Sequence, residues 1–135
     1  RIHHSGSFNA NPMSLRAGAA LMAELTPHLY ERLNRLGADA VEGLTQVFEA
    51  EDIPATVTRA ASLFCVHFTS EKIVDYRSVV REDSVKMFNF FLGLLLKDVM
   101  VAPKGWGCIS SPMTELDVET LLQKTAETTG YLKGF

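Results

Sequence analysis

Two short stretches of this chain combine residue types that could do chemistry. The first is His4-Ser5-Gly6-Ser7-Phe8-Asn9-Ala10-Asn11-Pro12, polar and glycine-containing, which runs straight into an alanine-rich segment, Met13 to Leu25. Asn followed by Pro is a helix start, since Asn caps a free N–H and Pro has none to waste. Such a start is expected to leave backbone N–H groups at the positive end of a helix dipole with two serine hydroxyls nearby, which suits a phosphate or carboxylate. The same features also describe a capped helix that binds only water. The second stretch is Pro103-Lys104-Gly105-Trp106-Gly107, a turn carrying a cation and an aromatic ring.

Other reactive residues have blander explanations. Cys65 and His67 alternate onto one side of an extended segment, as a Cys–His pair or two metal ligands would, but no third ligand stands at metal-type spacing. An inert buried thiol is the favoured reading, and no metal site is expected. His3 and His4 are adjacent, so on an extended segment they point apart and read as loop imidazoles. Glu51-Asp52 and Glu82-Asp83 fall at helix boundaries, where capping and solvation account for them. The chain has no Gly-rich phosphate loop with its lysine, no nucleophile elbow and no dinucleotide fingerprint.

These residues must be positioned by the elements around them. Met13 to Leu25 reads as a helix whose small residues require a tightly packed neighbour. Thr26-Pro27 repeats the start signal and opens a second helix with Leu29, Leu33, Leu36, Ala40, Leu44 and Val47 or Phe48 on one face. It ends before Pro54, because the residue preceding proline is pushed out of helical geometry. Ala55 to Arg59 and Ser62 to Thr69 read as adjacent strands, the second central, with Phe64, Val66 and Phe68 on one face and Leu63, Cys65 and His67 on the other. A short helical piece is expected at Asp75 to Val80. A helix follows at Asp83 to Asp98, with Val85, Phe88, Leu92, Leu95 and Leu96 inward. Val99 to Ala102 and Cys108 to Ser110 read as short strands. Thr114 and Asp117 form a capping box that starts a final helix carrying Leu116, Leu121, Leu122 and Ala126, and the tail after Gly130 is expected to fray.

Composition narrows the class. At 135 residues, 47% hydrophobic and 21% charged, the chain has enough material for one core. A net charge of −3 gives no electrostatic footprint for nucleic acid, and the longest apolar run, Phe90 to Leu96, is too short to span a bilayer. With Cys65 and Cys108 reading as buried free thiols, a cytoplasmic protein without nucleic-acid or membrane partners is expected.

The order of these segments resembles one family. Ser5-Gly6-Ser7-Phe8-Asn9-Ala10-Asn11-Pro12 is similar to the His-Gly-Gly-Thr-Phe-Asn-Ala-Asn-Pro segment of fold-type I, class III pyridoxal-phosphate aminotransferases, especially the glutamate-1-semialdehyde aminomutase group. Pro54 to Arg59, Ser62-Leu63-Phe64, Phe68-Thr69, Val74-Asp75-Tyr76, Phe90-Phe91, Val101-Ala102-Pro103, and Ser110 with Thr114 follow in the family's order. The resemblance implies an α+β fold: a small antiparallel sheet of three or four strands covered by helices, preceded by a long N-terminal helical pair. Residues 1–26 would end the large cofactor domain, and residues 27–135 would form the carboxy-terminal small domain.

It also implies roles. Ser7, with Gly6 beside it, stands where the family's Thr donates to the phosphate of pyridoxal 5'-phosphate across a homodimer. The Schiff-base lysine, the aspartate on the pyridine nitrogen and the stacking aromatic would lie upstream of Arg1, so this chain alone is expected to be inactive. Lys104 would meet a substrate carboxylate and Trp106 would wall the pocket, or both would be surface residues. The segment around Lys104 to Ser110 is shorter than the aminomutase pattern, and Met113 stands where histidine is usual. Two functions remain open. One is the carboxy-terminal portion of an aminotransferase or aminomutase, working with the rest of that enzyme and its dimer mate. The other is a stand-alone, non-catalytic module that binds a partner or a small anion.

Overall fold

Why each segment adopts its element is visible at the element ends. The structure, a computed structural model, describes residues 5–9 and 11–133; His3, His4 and Ala10 lie outside them. Asn11 starts α1 (Pro12–Glu24) by accepting from the N–H groups of Met13 and Ser14. Thr26 Oγ1 caps α2 (Pro27–Ala50) through the Leu29 N–H. The chain divides into two compact units between Arg32 and Leu33, inside α2. In the first unit no residue of α1 is buried, and Met13, Leu15, Leu21 and Met22 are exposed, so the close neighbour its small residues call for is not found within the described residues.

In the second unit α2 buries Leu36, Gly37, Ala40, Leu44 and Phe48, which settles the choice between Val47 and Phe48. The helix ends on Asp52 in left-handed geometry (φ 54°), with Ile53 N–H on Phe48 O and Asp52 N–H on Glu49 O. That paired closure, rather than Pro54 alone, terminates it. β1 (Thr56–Ala60) and β2 (Leu63–His67) pair antiparallel from Thr56↔His67 to Ala60↔Leu63. Arg59 ties the hairpin to α2 by donating to the carbonyls of Asn34 and Ala61. α3 (Tyr76–Val79) is a single turn capped by Asp75, and α4 (Ser84–Leu95) is capped by Asp83. β3 (Trp106–Cys108) pairs antiparallel with β2, so the sheet order is β1-β2-β3 and β2 is central, as expected. α5 (Glu115–Thr128) and a 3-10 turn, Thr129–Tyr131, close the chain. The Asp117 carboxylate accepts from both the N–H and the hydroxyl of Thr114 at the start of α5.

The fold is therefore α+β, with three strands. Its core joins α2, one face of the sheet, α4 and α5, and at its centre Phe48, Phe68 and Phe90 meet edge to face with ring centroids 5.5–5.8 Å apart.

Six expectations are corrected. The inward face of α4 is Met87, Phe90, Gly93 and Leu94, while Val85, Phe88, Leu92, Leu95 and Leu96 are exposed. The helix is apolar nearly all round, so periodicity could not choose, and the aromatic trio did. Val99 to Ala102 is not a strand, and the last strand begins at Trp106 rather than Cys108. Leu116 and Ala126 of α5 are exposed. Within the described residues the segment after Gly130 is anchored by Leu132, which is 1% exposed. Cys65 is buried, but Cys108, on the edge strand, is exposed. Among the described residues no helix is long and apolar enough to cross a membrane.

Candidate functional site

The opening loop is built by asparagines. Asn9 donates its backbone N–H to Gly6 O (3.2 Å) and its side-chain amide to Ser5 O (2.6 Å), folding residues 5–9 into a closed turn. Gly6 sits at φ 143°, and a Cβ there would lie 2.8 Å from Asn9 Oδ1, so the turn needs glycine at that point. Ser7 is exposed on this turn and bonds no other group among the described residues, which leaves its hydroxyl and N–H for a ligand. The helix end contributes less than expected. Asn11 Oδ1 takes the Met13 and Ser14 N–H groups, Asn11 O takes that of Leu15, and Pro12 has none. The donors of the first turn of α1 are satisfied internally, so the helix end itself is not what would attract an anion.

Lys104 and Trp106 belong to the second unit. They lie on a turn closed by Ala102 N–H on Trp106 O (2.7 Å) and Gly105 N–H on Ala102 O (2.9 Å). Gly105 is buried at φ 79°, and a Cβ there would meet Val66 O at 2.5 Å. Lys104 is exposed and Trp106 is 54% exposed. Beside Trp106 runs an apolar groove of about 580 Å³ lined by Leu63, Phe91, Leu95, Met100 and Pro103 among others. Lys104 follows the groove-lining Pro103 in sequence but is not itself among the lining residues.

Cys65 and His67 do share a face, but they serve the structure. The Cys65 thiol reaches Lys104 O at 3.4 Å, and burial, aided by the Glu82 carboxylate, pushes it up to about 11. It is a neutral S–H donor at any ordinary pH. His67 Nδ1 lies 3.1 Å from Glu82 Oε2, and Nε2 lies 3.2 Å from Thr58 Oγ1. A carboxylate only accepts, so Nδ1 carries a proton and donates to Glu82, while Nε2 meets the Thr58 hydroxyl. The order hydroxyl, imidazole, carboxylate is that of a nucleophilic triad, but the His67 side chain is only 7% exposed and its trio clamps the segment before α4 onto the sheet. Glu82 was legible only as a boundary carboxylate; its contact spans 15 residues and had no sequence signal. Among the described residues no three His, Cys, Asp or Glu side chains converge to hold a metal.

No family model matches the chain. It is 31% identical over 134 residues to the glutamate-1-semialdehyde 2,1-aminomutase of Methanothermobacter thermautotrophicus, a match covering 98% of this chain and 32% of that protein. It is also 31% identical over 129 residues to the enzyme of the same name from Acetivibrio thermocellus, covering 93% of this chain and 29% of that one. The chain thus spans about a third of the length of these relatives. Among solved structures, an omega-transaminase from Sphaerobacter thermophilus superposes with a TM-score of 0.91 at 30% identity, over 98% of this chain and 31% of that one. A transaminase with PLP bound superposes with a TM-score of 0.83 at 29% identity, over 98% and 30%.

Proposed function

Because this chain is homologous to the carboxy-terminal portion of class III aminotransferases, we propose that it supplies one half of a cofactor-phosphate site and one wall of a substrate pocket to an aminotransferase or aminomutase. Residues 1–26 end the cofactor domain in this reading, and residues 27–135 form the small domain. The cofactor is pyridoxal 5'-phosphate. When bound it supplies the electron sink through which an amino group is transferred.

The observation that carries the reading is Ser7. It stands at the phosphate-binding position of the family segment, and its hydroxyl and N–H are exposed and unengaged among the described residues, on a turn that Gly6 alone permits. The residues present therefore fit a phosphate, through two donors from one serine and its backbone, offered across a dimer to a cofactor held by the other subunit. Lys104 holds the carboxylate of the amino-group donor, and Trp106 with the groove beside it excludes water from the rest of that molecule. No lysine of this chain is assigned as the cofactor's covalent anchor, so this chain alone does not transaminate. Two free thiols fit a reducing, cytoplasmic setting.

The test is Ser7→Ala in the longer enzyme. Losing a hydrogen bond to a charged group costs about 1.5–3 kcal/mol, so the cofactor should dissociate roughly 10- to 100-fold more readily. Unchanged cofactor retention in a folded variant would contradict the assignment. Lys104→Ala should raise KM for the amino donor about two- to fivefold with kcat unchanged, the range of an exposed charge contact.

A further inference from the structure

The turn that carries Lys104 and Trp106 is gripped from below by two consecutive residues of the central strand. Val66 N–H donates to Gly105 O at 3.1 Å, and the Cys65 thiol has Lys104 O at 3.4 Å as its nearer acceptor, with Val66 O farther at 3.7 Å. Cys65 is 1% exposed and is the cross-strand partner of Trp106, so thiol and indole lie on the same side of the sheet. A Cβ on Gly105 would lie 2.5 Å from Val66 O, so the turn runs close to the strand at this point.

We infer that Cys65 is a positioning residue: with the Val66 N–H it fixes two successive carbonyls of the turn, and so sets where Lys104 and Trp106 stand toward an organic carboxylate. The effect on ligand binding rests on the reading of Lys104 given above, whereas the grip itself does not. An S–H donor is weak, but here it meets the Lys104 carbonyl on a turn that also runs close to the strand at Gly105.

Trp106 is the only tryptophan, so its emission reports the turn directly. Two substitutions separate donor from bulk. Cys65→Ala and Cys65→Ser lose similar volume, and only Cys65→Ser keeps a donor. If the hydrogen bond positions the turn, Cys65→Ala shifts Trp106 emission and speeds exchange of the Val66 amide about two- to fivefold relative to Cys65→Ser, the range of a weak hydrogen bond. A Cys65→Ala chain with the emission and exchange of Cys65→Ser overturns the inference. Should Cys65→Ala fail to fold, Gly105→Ala decides with Cys65 in place. The added Cβ should lift the turn and raise alkylation of Cys65 about tenfold relative to the exposed Cys108, since a turn that costs 1.4 kcal/mol less to open is open tenfold more often; an unchanged ratio overturns the inference. These readings need no ligand, so they stand or fall separately from binding of a carboxylate at Lys104.

Discussion

The two faces of β2 are covered by different physics. Phe64 and Val66, with Phe68 just beyond the strand, are at most 4% exposed and belong to the apolar core. On the opposite face Leu63 is 43% exposed, while Cys65 and His67 are buried where Lys104 O, Thr58 and Glu82 meet them. The first face should accept changes that keep volume, and the second should accept changes that keep its hydrogen-bond partners. Stability is built on the first face. The geometry that a ligand would feel is built on the second.

The sharpest way to break this contrast is Phe90→Ala. It removes one ring of the aromatic trio and should cost about 3–5 kcal/mol by urea unfolding, whereas Phe90→Leu should cost much less; equal losses would mean that the first face is not volume-dominated. On the second face, Glu82→Ala strands the His67 Nδ1–H in a buried setting and should cost about 1–3 kcal/mol, with faster amide exchange in residues 70–83. A loss confined to global unfolding, with no local change, would argue against a clamp. Smaller again is Asp52→Gly, which should stabilise α2 by about 0.5–1 kcal/mol because glycine holds the left-handed closing position without strain.

Acid should loosen α5. The Thr114 N–H and hydroxyl hold the Asp117 carboxylate below the usual range, and Lys124 and Lys97 do the same for Glu127. A lowered native value means that this stabilisation is complete above the unfolded value near 4 and drains away as pH falls through the native one. Helix signal in far-UV dichroism should therefore decline below about pH 4, and the decline should be shallower in Asp117→Asn. The smallest effect is kinetic. With its thiol pushed up to about 11, Cys65 should resist iodoacetamide at neutral pH while Cys108 reacts.

Much of the first face was legible in the sequence, and little of the second. The α2 stripe through Leu36, Ala40, Leu44 and Phe48 and the alternation in β2 are local patterns, and both are realised. The orientation of α4 was not legible, because SVKMFNFFLGLL offers apolar residues to every side and only the distant Phe48 and Phe68 choose Phe90. Glu82 belonged with Asp83 by sequence, yet one caps a helix and the other reaches His67. At the opening loop Asn11 was readable as a cap, but not that it would use up the donors a phosphate was expected to find. The family segment, rather than helix physics, is what points to Ser7.

The division of labour proposed for Ser7 is tested most directly by mixing this chain with pyridoxal phosphate and dialysing exhaustively. With the covalent anchor on another part of the enzyme and one half of a phosphate site here, the chain should retain no cofactor absorbance. Stoichiometric absorbance that survives dialysis would place an anchoring lysine in this chain and contradict the proposal.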